Sequence, residues 1–133
     1  MLTTKTEKKV NKFQNALEYL GEYQGVKEAL IFDHEGLVIG TLTGKSLDAE
    51  ALSPLSLLII EQTNAVLKRM NEAPVHTMAL KTKDSWITIE RVDDLVLMVI
   101  ANLHTDELLK VRIGQAIDMI KSYMKENYPL LTR

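Results

Sequence analysis

Apolar side chains recur every three or four residues in three stretches of this chain, and they crowd into short runs between those stretches. Val10, Phe13, Leu17 and Leu20 fall on one side of a helix at that spacing, which predicts a first helix over about residues 6–20. Gly21 is placed to close it, because glycine tolerates the left-handed conformation that ends many helices. Two apolar runs, "ALIF" and "LVIG", then flank "DHEG", and Asp and Gly favour a tight reversal, so strands 1 and 2 form an antiparallel hairpin. The second helix lies in "LDAEALSPLSLLIIEQTNAVLKRM". Ser53 before Pro54 is a good start signal, since the serine oxygen can cap an early amide and proline suits the first helical position. A start nearer Asp48 is the alternative, with Pro54 then inside the first turns, and the end falls at about Met70.

Three strands follow, "VHTMALK", "SWITIERV" and "LVLMVIA", with "TKD" and "DD" as turns. In the fourth strand Ile87 and Ile89 face one way, while Trp86, Thr88 and Glu90 face the other. Neither Ala29–Phe32 nor Leu95–Ala101 contains a polar residue. Such runs mark strands covered on both faces, hence central in the sheet. A third helix is expected from near Thr105, with Asp106 and Glu107 suited to its dipole, and it stops before Pro129. Leu109, Ile113, Ala116, Ile117, Ile120 and Met124 form its apolar stripe. The order is therefore α-β-β-α-β-β-β-α. It predicts an α+β fold within the broad α/β class, with a five-stranded antiparallel sheet. Helix 2 covers one face and helices 1 and 3 the other. Residues 1–133 make one domain, with a core over about 6–124 and short polar tails.

Helix 2 carries more apolar surface than one face requires. One stripe holds Leu55, Leu58, Ile59, Gln62, Val66 and Met70, and a second holds Leu57, Ile60, Asn64 and Leu67. A helix on the surface of a monomer needs a single stripe. The sheet takes one, and a second copy of the chain is the expected partner of the other. The outer, dimer-forming stripe is assigned to Leu57, Ile60, Asn64 and Leu67, with Gln62 and Asn64 as polar groups able to fix the register. The competing account is that the loop "TLTGKSLDAE" caps Leu57 and Ile60.

Composition narrows the chemistry. The 133 residues are 46% hydrophobic and 26% charged, ordinary for a soluble globular domain. A net charge of −2 gives a nucleic-acid partner no electrostatic support. With no cysteine there are no disulfides, thiolate catalysts or Cys-based zinc sites, which fits a cytoplasmic location. "MLTTKTEKKVNKF" has no signal-peptide core, and no apolar run is long enough to insert in a membrane.

"GTLTGKS" is one residue short of a phosphate-binding loop. Three residues separate its first glycine from Gly-Lys where four are needed, the strand before it belongs to a hairpin, and no helix follows at once. It reads as a polar loop, and no cofactor is expected. His34, His76 and His104 have no helical ligand spacing and read as surface residues, so no metal is expected. Asp33, Glu35, Asp93 and Asp94 read as turn residues. The serines lack a nucleophile elbow. No catalytic residue is assigned, and the chain is read as non-enzymatic.

The element order, "GVKEALIFDHEGLVI" and the apolar "LVLMVIAN" before a last amphipathic helix together resemble the roadblock family. The resemblance covers about Val10 to Met124. Its sharpest positions are Gly25-Val26, Ala29, Asp33 and Gly36, which are turn and structural positions. It implies a strand order 2-1-5-4-3 and dimers built through the second helix and the edge of strand 3. The family includes roadblock-type dynein light chains, endolysosomal scaffold subunits and prokaryotic partners of small Ras-like GTPases. "NLHTDELLK" departs from its pattern, since many members carry a glycine shortly after strand 5.

The resemblance implies a homodimeric adaptor that binds and regulates a small Ras-like GTPase, as a GTPase-activating protein or as a scaffold. No arginine finger is marked. Arg69, Arg91 and Arg112 are candidate partner contacts, each also explained as solvated charge. The alternative function is a small-ligand sensor with a pocket between sheet and helix.

Overall fold

The computed structural model describes residues 2–42, 48–105 and 107–127, with side chains described from residue 12 to residue 126 within those ranges. In chain order the elements are α1 (Leu2–Gly21), β1 (Val26–Asp33), β2 (Val38–Thr41), α2 (Ala49–Arg69), β3 (Thr77–Lys81), β4 (Ser85–Val92), β5 (Leu95–Asn102) and α3 (Leu108–Asn127). One antiparallel sheet runs β2-β1-β5-β4-β3. The two strands without polar interruptions, β1 and β5, stand side by side at its centre, as their composition requires. Their register sets Leu30 opposite Met98 and Ile31 opposite Leu97.

Alternation along these strands divides the core in two. Ala29, Ile31, Leu97, Val99 and Ala101 point to the side covered by α1 and α3. There they meet Phe13, Ala16, Leu17 and Leu20 of α1 and Leu109, Ile113, Ala116, Ile120 and Met124 of α3. Leu30, Phe32, Ile89, Val96 and Met98 point to the other side, under Ile60 of α2. Every residue of the expected α3 stripe is buried or packed against the core, and Tyr123 joins them. Phe13 meets Tyr123 edge to face with centroids 4.7 Å apart. Val10, expected in the α1 stripe, lies outside the described side chains, and Pro129 outside the described residues.

Three local expectations need correction. First, α2 begins at Ala49, so the alternative start near Asp48 holds and the one at Ser53–Pro54 does not. Asp48 is its N-cap, with Oδ1 accepting from the Ala51 amide at 3.2 Å. Pro54 sits in the second turn, and Ser53 is fully buried, donating its hydroxyl to the Gly36 carbonyl at 2.6 Å. The serine thus binds the β1–β2 turn to the helix instead of capping it. Second, α1 does end at Gly21, but not through a left-handed residue. Among the described residues the glycines with positive φ are Gly25 and Gly36. Gly21 matters for space, because a Cβ there would come within 2.7 Å of the Leu42 side chain. Third, α3 starts at Leu108, after a turn in which Thr105 donates both its amide and its hydroxyl to the Asn102 carbonyl. Asp106 lies outside the described residues.

Leu97 sits fully buried on the central strand beneath α1 and α3. Leu97→Ala is expected to lower unfolding free energy by roughly 2–5 kcal/mol through lost burial and a residual cavity, measured by urea denaturation.

Candidate functional site

Helix α2 covers its face of the sheet alone, and its two stripes are placed the opposite way from the sequence reading. Ile60, assigned to the outer stripe, is 6% exposed and packs on Leu30, Phe32, Val96 and Met98, with Leu57 beside it. Asn64 and Leu67 are half-buried on the same side. Asn64 Oδ1 accepts from the Val75 amide at 2.7 Å, which ties α2 to the segment entering β3. These four residues form the inner stripe of the helix.

The outer stripe is the other set. Leu55, Leu58, Ile59, Val66 and Met70 are between 44% and 60% exposed, and Gln62 among them is exposed as well. Ser53 and Ser56 stand on the inner side with Ile60, and both are buried. Ser53 lies against the β1–β2 turn, where it donates to Gly36. Ser56 gives its hydroxyl to the Leu52 carbonyl one turn back, at 2.9 Å, so no polar atom is stranded by this burial. Hydrophobicity alone favours the wrong side. The serines, in line with Ile60 at helical spacing, were the signal that could have identified the sheet-facing one.

A second surface borders this one. Among the described residues β3 pairs with β4 alone, which leaves its other edge without a strand partner there. Met78 and Leu80 alternate onto the α2 side of the sheet; Met78 packs on its core and Leu80 is exposed. Helix stripe and strand edge together make an apolar patch with hydrogen-bonding potential along one border.

The three candidate arginines are dispersed. Arg69 is exposed at the end of α2. Arg91 is half-buried and lines a groove of about 280 Å³ beside α2, together with Leu57, Ile60, Glu61 and Asn64. Arg112 is engaged within the fold. Its Nη1 donates to the Tyr19 carbonyl at 2.7 Å, and its guanidinium lies 4.4 Å from the Tyr19 ring centroid and 5.6 Å from that of Tyr23. It clasps α1 to α3, which gives it a structural role inside this fold. Tyr19 also bonds Gln115 across the same helix pair.

The remaining candidates hold ordinary positions. Asp33 Oδ1 accepts from the amides of Glu35 and Leu37, both at 2.9 Å, which builds the β1–β2 turn. His34, His76 and His104 are exposed, and no group of three potential ligands for a metal occurs among the described residues. Of "GTLTGKS", Gly40 and Thr41 belong to β2, while 43–46 lie outside the described residues. No described helix is long and apolar enough to cross a membrane.

Comparisons with known proteins bear on this arrangement. The Roadblock/LC7 domain profile matches residues 12–102. Curated protein sequences give no significant match. Among solved structures, Myxococcus xanthus MglB superposes with a TM-score of 0.81 over 88% of this chain and 90% of that one, at 18% identity. The gliding protein MglB from Thermus thermophilus gives 0.77 over 89% and 92%, at 16% identity. A structure described as MglB with tetrameric arrangement gives 0.72 over 86% and 91%, at 17% identity. Identities this low establish the shared fold.

The Arg112 clasp generates a stability prediction. Arg112→Ala is expected to cost roughly 1–3 kcal/mol by removing a charged hydrogen bond and two aromatic contacts. Arg112→Lys should recover only part, since an ammonium cannot donate to the carbonyl and stack at once. Urea denaturation of both variants checks this.

Proposed function

The chain belongs to the Roadblock/LC7 domain family, and from that premise we propose that it is a non-enzymatic adaptor, a homodimer that binds a small Ras-like GTPase and regulates it or scaffolds a complex around it. One observation carries the reading. α2 has filled its sheet side with Ile60 and Leu57, yet it still shows Leu55, Leu58, Ile59, Val66 and Met70 to solvent. Isolated exposed apolar residues are normal, but a contiguous stripe along the length of a helix marks an interaction surface.

A second copy is the proposed occupant of that stripe. Two-fold packing of α2 against its own mate would cover Leu55, Leu58, Ile59, Val66 and Met70 from both sides, as an isologous interface does. The free edge of β3 adds backbone pairing next to it. The relative described in a tetrameric arrangement shares this fold, which supports self-association as the use of the surface. The dimer would work in the cytoplasm.

The GTPase would bind across the composite face that pairing creates. Arg69 and Arg91 lie on the α2 side and are the proposed contacts. Arg112 is clasped between helices, so any stimulation of hydrolysis would act by ordering the GTPase's own groups rather than through that arginine.

Two experiments test the proposal. Light scattering should give the mass of a dimer for the native chain and of a monomer for Ile59→Glu, whose far-ultraviolet circular dichroism should match native protein because Ile59 touches no core cluster. A monomeric native chain defeats the pairing. Small Ras-like GTPases from the same cell, loaded with GDP or a non-hydrolysable GTP analogue, should include one that binds in one nucleotide state only. If none forms a nucleotide-dependent complex, the GTPase assignment fails while the dimer stands.

A further inference from the structure

On the opposite face of the sheet, α1 and α3 stop short of β3. A cleft of about 390 Å³ remains between α3 and the β3–β4 ladder. Its size is within the range of small-molecule sites. Trp86, Ile113 and Ile117 are the large apolar residues of its lining, and Gly114 is part of it too, where a Cβ would meet nothing within 4 Å.

The carboxylate of Glu90 also lines this cleft. It is held on both sides: Oε1 accepts from the Thr77 hydroxyl at 2.9 Å, and Oε2 accepts from the Thr88 hydroxyl at 2.8 Å. Thr88 is itself 2% exposed, so one of the two clamps is fixed by the core. Each carboxylate oxygen has two lone-pair directions. One is taken on each oxygen, which leaves each oxygen able to accept another. Among the described residues no cation answers this charge. The ion pairs there are Lys110–Glu107 and Arg112–Glu22. Lys110 lines the cleft but holds its ammonium 3.3 Å from Glu107.

We propose that this cleft binds a small organic cation, a guanidinium or ammonium group on an apolar stem. A carboxylate with acceptor capacity left on both oxygens suits the fork of a guanidinium, and the aromatic wall at Trp86 favours a cation with a weakly hydrated, planar head. The isoleucines take the stem. The cleft lies on the face away from α2, so the inference is independent of the pairing and GTPase binding proposed above.

Trp86 is the only tryptophan of the chain, so its fluorescence reads the site directly. The native chain is titrated with butylguanidinium and with butylurea, which has the same shape and no charge, and binding is read in parallel by broadening of the ligand's proton NMR signals. Butylguanidinium is expected to give a saturable response. Butylurea and the Glu90→Gln variant should each weaken it at least about tenfold, as expected for loss of a charged hydrogen-bond pair. Gly114→Leu should fill the cleft and abolish binding while Tm holds or rises, because leucine favours the helix that glycine weakens. The proposal is overturned by the absence of a saturable response in both readouts, or by equal binding of butylurea or of Glu90→Gln. A capped Gly-Arg-Gly tripeptide binding about tenfold more tightly than butylguanidinium, a gap of roughly 1.4 kcal/mol, would also overturn it, in favour of an arginine side chain of a protein.

Discussion

Everything in this molecule hangs on two adjacent strands that are apolar on both sides. β1 and β5 cannot face water on either surface, so each face of the sheet must carry a helical layer. Two helices share one face and one helix has the other alone. The pair on the first face can cover its strands and then turn polar surface outward. The single helix on the second face turns Ile60, Leu57 and two buried serines inward. Leu55, Leu58, Ile59, Val66 and Met70 are left on the outside.

This explains what could and could not be read in the amino-acid order. Strand positions, the central place of β1 and β5, and the division of helices between faces follow from periodicities of two and 3.6, and the structure has all three. The two sides of α2 were another matter. Both stripes are apolar, and periodicity says only that two exist. The side that turns inward carries Ser53 and Ser56, both buried, and an apolar count scores these two against it. Ser53 misled twice, since it resembles a cap and yet bonds a carbonyl 17 positions earlier.

The same limit applies to the polar features. Asp33 as a turn builder was legible because its partners lie two and four residues away. The Arg112 clasp and the Glu90 cleft join residues far apart in the chain or separated by a layer of structure. The alternation of Trp86, Thr88 and Glu90 was visible in the strand. That α3 would leave this end of the ladder uncovered was not, because it depends on where the helix crosses the sheet.

The bond from the Val75 amide to Asn64 has a further consequence. It fastens the connection leading into the outermost strand to the C-terminal part of the single helix. The two parts of the exposed apolar border are therefore pinned in a common frame before any other molecule arrives. Under the proposed pairing, helix and strand would meet a second copy already fixed to one another, which lowers the ordering cost of binding relative to a loose helix and a loose strand.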